Sequence, residues 1–174
     1  MIAAGIRGEI GAGGGLPWPR LPGDMRRFRS ITRTTRDPAK INAVIMGRRT
    51  WDSLDRVPLS DRLNIVLSRQ PCEGEGAVVV ESVGACCALL DACDVVESAF
   101  LIGGADTIAA FMEEAPERLG SMYITYIARE FPRADTHVNL AALERFFPRV
   151  FYHTADYTDA DVHFALRWQL LSNI

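Results

Sequence analysis

Short apolar runs of strand length alternate along this chain with stretches whose apolar residues recur at helical spacing, and this alternation constrains the fold more than any other feature. Strand-like runs lie at 1–6, 41–46, 63–67, 77–80, 99–102, 121–128 and 161–171, and helical patterns at 22–34, 48–54, 83–92 and 105–113. Such an order predicts an α/β fold whose sheet has parallel portions. The last segment differs in kind: Val162, Phe164, Leu166, Trp168 and Leu170 alternate with His163, Ala165, Arg167 and Gln169. A period of two suits a strand with one more polar face, often antiparallel at a sheet edge, so the predicted sheet is mixed. A length of 174 residues fits a single domain.

Charge and composition narrow the function. The formal net charge of −3 gives no broad basic field for nucleic acid or a membrane surface, although a local basic patch for a small anion is compatible with it. No run of 18 or more apolar residues predicts a transmembrane helix. The first residues lack the basic start and long apolar centre of a secretion signal and read as a core strand. Cys72, Cys86, Cys87 and Cys93 form no C-x-x-C pair, and His137, His153 and His163 stand apart. The expectation is reduced thiols in a cytoplasmic protein with no metal site.

Several residues are candidates for chemistry. Pro22 suits the first turn of a helix and places Asp24 near its N-terminus, while Met25, Phe28 and Ile31 mark an apolar face. Asp24, Phe28 and Ile31 are spaced i, i+4, i+7, so the carboxylate lies on or beside that stripe and needs a partner there. A solvent-facing acid that complements the helix dipole is the equal alternative. Thr125 is a lone hydroxyl in an otherwise apolar strand and should be hydrogen-bonded, if only to backbone.

The stretch Ala43-Val44-Ile45-Met46-Gly47-Arg48-Arg49-Thr50-Trp51 is a strand, a glycine, two arginines, a hydroxyl and a helix start, and a second strand ends in Leu67-Ser68-Arg69. Guanidinium and hydroxyl donors at two strand ends suit one phosphate; solvated surface arginines are the bland alternative. Ile102-Gly103-Gly104-Ala105 closes a strand and opens a helix, and its glycines permit close ligand approach or unusual peptide geometry, as a tight turn also does. Gly-Ala-Gly-Gly-Gly at 11–15 is not the dinucleotide fingerprint and reads as a flexible loop, with Trp18 just beyond it as an aromatic that covers something.

In order along the chain, these motifs resemble the dihydrofolate reductase family. The matching stretches are Ile10-Gly11, Leu16-Pro17-Trp18, Leu21-Pro22-Gly23-Asp24-Met25-Arg26-Arg27-Phe28, Val44 to Trp51, Pro58-Leu59, Arg62 to Arg69, Ile102-Gly103-Gly104 and Asp135-Thr136. The resemblance implies a single domain over 1–174, with roughly 42–95 as an adenosine-binding subdomain. It implies a mixed, mostly parallel eight-stranded sheet with an antiparallel C-terminal strand, flanked by about four helices. The implied activity is NADPH-dependent reduction of 7,8-dihydrofolate, in one-carbon metabolism, by a monomer that antifolate inhibitors also bind.

By the same resemblance, Asp24 pairs with the pterin's 2-amino group and N3, a water at Trp18 relays the proton, and Thr125 orients Asp24. Ile2, Met25, Phe28, Leu54, Leu59 and Ile102 line the substrate site, and Arg62 holds the substrate's α-carboxylate. Gly47, Arg48, Arg49, Thr50, Leu67, Ser68 and Arg69 match NADPH-binding positions, with the 2′-phosphate favouring NADPH over NADH. Ala3, Ile10, Gly11, Leu16, Ile102, Ala105, Asp106 and Ile108 complete the cofactor set, with Gly103 and Gly104 joined by a cis peptide. Residues 11–19 are the implied mobile lid over the nicotinamide.

The chain also departs from the family. Met1 and Ile2 align with first-strand residues that others usually precede, which predicts a short first strand. Ile108 replaces a tyrosine, Ser60-Asp61 replaces a pair such as Pro-Gly so that Asp61 partly neutralises Arg62, and Gly13-Gly14-Gly15 predicts an unusually flexible lid. A noncatalytic NADPH or folate binder has no use for Asp24 with Trp18 and Thr125. A related pyrimidine reductase of riboflavin synthesis does not explain the series from Leu16-Pro17-Trp18 to Phe28, or Arg62, and a purely structural protein explains none of these residues.

Overall fold

Residues 41–47 form the most buried strand of the chain, and a computed structural model shows what they are buried by. It describes residues 1–155 and 161–168. The elements run β1 (Ile2–Gly5), β2 (Glu9–Gly11), α1 (Pro22–Arg33), β3 (Ile41–Gly47), α2 (Arg48–Ser53), β4 (Arg62–Leu67), β5 (Ala77–Val80), α3 (Val83–Asp91), β6 (Val96–Gly103), α4 (Ala105–Glu114), β7 (Ser121–Ile127), β8 (Thr136–His137), α5 (Leu140–Phe146), β9 (Arg149–Ala155) and β10 (Val162–Trp168). A 3₁₀ turn at Pro116–Arg118 precedes β7. Two compact units result, Met1–Met25 with Pro116–Ile174, and Arg26–Ala115.

The second unit holds a parallel sheet in the order β5-β4-β3-β6. Parallel strands need crossovers, which α2 and α3 supply after β3 and β5, while residues 68–76 link β4 to β5 without a helix. β3, bonded on both edges, reads as a nearly continuous apolar run because neither of its faces meets water. Val44, Met46, Trp51 and Val66 form its core, with Leu54, Leu59 and Ile102 packed against them. Trp51 satisfies its indole N–H on the carbonyl of Glu73 at 2.8 Å.

The first unit holds a mixed sheet in the order β1-β7-β10-β9, with β1 parallel to β7 and both β10 ladders antiparallel. β1 pairs along all four of its residues. A bulge at Leu166/Arg167 leaves Phe151 as an extra residue on β9, between Val150 and Tyr152. β2 and β8 form a separate antiparallel ladder.

The mixed sheet character and the antiparallel C-terminal strand match expectation, but β10 is not at the expected edge: it pairs on both sides, with β7 and β9. The strands pair as two four-stranded sheets and one two-stranded ladder rather than as one count of eight, and α5 adds a fifth helix. β2, β8 and β9 were not expected, and residues 169–171 of the expected last strand lie outside the described residues.

α1 corrects one expectation. Its fully buried residue is Thr32, while Phe28 and Ile31 are half-buried and Met25 is 38% exposed. The interior accepts Thr32 because its hydroxyl is satisfied, donating to the Phe28 carbonyl at 2.8 Å and accepting from Arg62.

Glu9 is buried in β2, where Oε2 accepts the Arg7 N–H at 2.8 Å and Oε1 the Phe131 N–H at 3.1 Å. Burial, the largest influence, raises its pKa, but the backbone donors together with His137 outweigh it and hold the carboxyl below its usual 4.5. Its ionised form therefore stabilises the fold fully above about pH 4.5, and that contribution is lost as pH falls through the lower native value. In denaturant titrations across pH, Glu9→Gln should be less stable at neutrality and lose less stability than the wild type on acidification below this range. At Gly47, a Cβ would lie 2.5 Å from the Thr107 hydroxyl. Gly47→Ala should cost roughly 1–3 kcal/mol in chemical denaturation through overpacking, with partial recovery on adding Thr107→Ala.

Candidate active site

Asp24 sits in the first turn of α1, which opens with Pro22 and with the Met25 N–H bonded to the Leu21 carbonyl at 3.0 Å. Thr125 lies midway along β7, opposite Ala3 of β1 and Phe164 of β10, and is 2% exposed. Its hydroxyl donates to Asp24 Oδ1 at 2.6 Å. A hydroxyl donating to a carboxylate is a short, charge-assisted bond, and here it satisfies a group that two flanking strands cut off from water. Of the two sequence readings of Asp24, the structure selects the half-buried, partnered one.

Trp18 is buried with Leu21, Ile127, Val162 and Phe164, with Ala3 packed against this cluster and the Phe131 ring 5.2 Å away in a tilted contact. Ile10 and Gly11 belong to β2, and Ile2 to β1.

The glycine-rich stretch has defined geometry. Ala12 and Gly15 exchange backbone hydrogen bonds of 2.9 and 3.0 Å around Gly13 and Gly14, whose φ values are +58° and +83°. Two central residues at positive φ make a hairpin turn that favours glycine at both places. The Asp135 carboxylate accepts the Gly13 N–H at 2.7 Å and the Thr136 hydroxyl at 2.8 Å, and the Asp135 N–H donates to the Gly11 carbonyl at 2.9 Å. The expected glycine-rich loop thus includes a defined turn, which the glycines close and a carboxylate ties down. Leu16, beyond the turn, is exposed.

In the second unit, β3 and β4 are in register with Gly47 opposite Leu67, so the chain leaves both strands at one level. Arg48, Arg49 and Thr50 follow one strand, and Ser68 and Arg69 the other. Arg48 donates to Gln70 Oε1 at 3.2 Å and lies 3.8 Å from Asp52, while Ser68 donates to the Gln70 carbonyl at 2.7 Å. The peptide between Gly103 and Gly104 is cis, and Ala105, Asp106 and Ile108 lie at the start of α4, Ile108 buried.

Arg62, the first residue of β4, donates through Nη1 to Thr32 at 2.7 Å and through Nε to the Ser60 carbonyl at 3.0 Å. Its guanidinium lies 5.8 Å from the centre of the Phe28 ring. Burial, then Arg33 and Arg29, lower its pKa, while Asp61 acts against them. Asp61 does not bond Arg62 as its direct partner; it ion-pairs with Arg33.

Sequence reasoning passed over Arg29, Thr32, Arg33 and Asn64. The Asn64 amide accepts the Leu59 N–H at 2.9 Å and donates at 3.0 Å to the carbonyls of Leu59 and Arg62, which locks the turn carrying both residues. A lone amide inside the apolar run Leu63 to Leu67 was its only available signal.

The strand ends bearing guanidinium and hydroxyl groups suit a phosphorylated ligand, and the α1 carboxylate held by a β7 hydroxyl suits proton chemistry, an arrangement expected of an α/β enzyme. The family model for dihydrofolate reductase matches residues 1–166, and the chain belongs to that family. It is similar to a putative dihydrofolate reductase of Caenorhabditis elegans, 39% identical over 79% of this chain and 75% of that protein. A dihydrofolate reductase of Heliothis virescens is 37% identical over 70% and 68%. The bifunctional dihydrofolate reductase-thymidylate synthase of Daucus carota is 44% identical over 60% of this chain, which spans only 21% of that protein's length.

Asp135→Ala removes a charged acceptor worth about 1.5–3 kcal/mol to the turn. The Gly13 amide should then exchange its hydrogen roughly ten- to a hundredfold faster, measured by amide exchange.

Proposed function

We propose that this chain reduces 7,8-dihydrofolate to 5,6,7,8-tetrahydrofolate with NADPH, with hydride going to C6 and a proton to N5. The observation that carries the proposal is the 2.6 Å bond from the buried Thr125 hydroxyl to Asp24, which turns a helix-start acid into an oriented carboxylate. Asp24 pairs with the 2-amino group and N3 of the pterin and stabilises the positive charge that develops as N5 gains its proton. Thr125 sets the direction of that carboxylate, and Trp18 positions the water that relays the proton. Ile2, Met25, Phe28, Leu54, Leu59 and Ile102 take the apolar surfaces of the substrate, and Arg62 takes its α-carboxylate.

The cofactor set fits a phosphorylated dinucleotide: Arg48, Arg49 and Arg69 supply guanidinium groups and Thr50 and Ser68 hydroxyls, all where β3 and β4 end in register. NADPH, when bound, supplies the hydride. The segment 42–95 with Gly47 and Leu67 takes its adenosine part, and Ala3 and Ile10 hold the nicotinamide carboxamide through backbone groups. Gly11 and Leu16 flank the turned loop as parts of the lid, and Gly103, Gly104, Ala105 and Asp106 supply the remaining backbone contacts. Ile108 brings no hydroxyl, so contact there is apolar.

NADPH consumption with dihydrofolate, followed spectroscopically across pH, tests this reading. Asp24→Asn should lower turnover by about a hundredfold or more at neutral pH, and by less in acid, where solvent protonates the substrate. Intact NADPH binding without turnover in the wild type would favour the noncatalytic binder instead.

A further inference from the structure

We infer that Asp61 sets the chain's selectivity for the charged end of its substrate: its carboxylate occupies Arg33 and so competes with an incoming substrate carboxylate. This inference rests on the reading in which Arg62 anchors the substrate's α-carboxylate. Arg29 and Arg33 are four residues apart on α1, on one side of the helix, and Arg62 is pinned to that helix through Thr32. The hydrogen bonds to Thr32 and Ser60 fix the plane of the Arg62 guanidinium. Both arginines of α1 act on it electrostatically, and the one opposing charge among these influences is Asp61.

A folate ends in a glutamate with two carboxylates. When one meets Arg62, the nearest uncommitted role for the other is to neutralise Arg33, and Asp61 already fills that role. The pair is open to water, Asp61 being 60% and Arg33 33% exposed, so it is weak enough for a ligand to exchange with it. Asp61 also has a φ of +61°, a conformation that asparagine adopts readily, so Asp61→Asn removes the charge while keeping shape and backbone.

The test compares KM for dihydrofolate with KM for a dihydropterin bearing an uncharged side chain, in wild type, Asp61→Asn, Asp61→Asn/Arg33→Gln and Arg62→Gln. Asp61→Asn should lower KM for dihydrofolate about two- to fivefold at low ionic strength. It should leave kcat and the uncharged substrate unchanged, and the gain should vanish at high salt and in the double variant. An unchanged or raised KM, a gain shared by both substrates, or a gain that survives Arg33→Gln would overturn the inference. Arg62→Gln tests the underlying reading separately: if it leaves KM for dihydrofolate unaltered, the anchor itself is misassigned, whatever Asp61 does.

Discussion

Strand β3 is hydrogen-bonded along both edges and buried over five consecutive residues, and much of the second unit follows from that burial. A strand with no wet face fills its centre with apolar side chains, and its polar groups stand towards its ends: Asn42, which donates to the Thr34 carbonyl, and the residues that follow Met46. Gly47, Arg48, Arg49 and Thr50 stand at that end, and the register with β4 brings Ser68 and Arg69 out at the same level. The close approach of Thr107 to Gly47 belongs to the same arrangement: the strand end admits a hydroxyl where no side chain can go.

The first unit meets a different problem at the buried hydroxyl of Thr125. Thr125 has a strand on either side, and water is replaced by a carboxylate from the first turn of α1. The same bond satisfies the hydroxyl and aims the acid, so a requirement of burial and a requirement of chemistry are met by one contact. Asn64 shows the same economy in the second unit, where a buried amide organises the turn bearing Leu59 and Arg62.

The sequence was most readable where periodicity was long. α1, α3 and α4, and the strands of the parallel sheet, stand within a few residues of their predicted positions because each presents several repeats of its period. β2 and β8 are too short to show a period of two, and the bulge on β9 breaks the alternation there. Glu9 escaped notice because its partners are the backbone N–H groups of Arg7 and Phe131, which leave no residue signature. Asp61 does act on the charge of the adjacent Arg62 as expected, but its ion pair with Arg33 joins positions 28 residues apart and left no local signal. Asp24 and Thr125, 101 residues apart, were joined in advance only through family resemblance, since spacing alone left the carboxylate free to face solvent.

The bulge on β9 has a further consequence for how the molecule behaves at high concentration. β9 is an edge strand of its sheet, and Val150 and Phe151 on it are 52% and 73% exposed. A flat apolar edge of this kind would template the addition of a strand from another chain. The extra residue at Phe151 breaks the two-residue repeat and increases local twist, so an incoming strand cannot stay in register past it. Among the described residues, the irregularity that hid this strand from sequence reasoning is thus also one that makes its edge a poor template for a second strand.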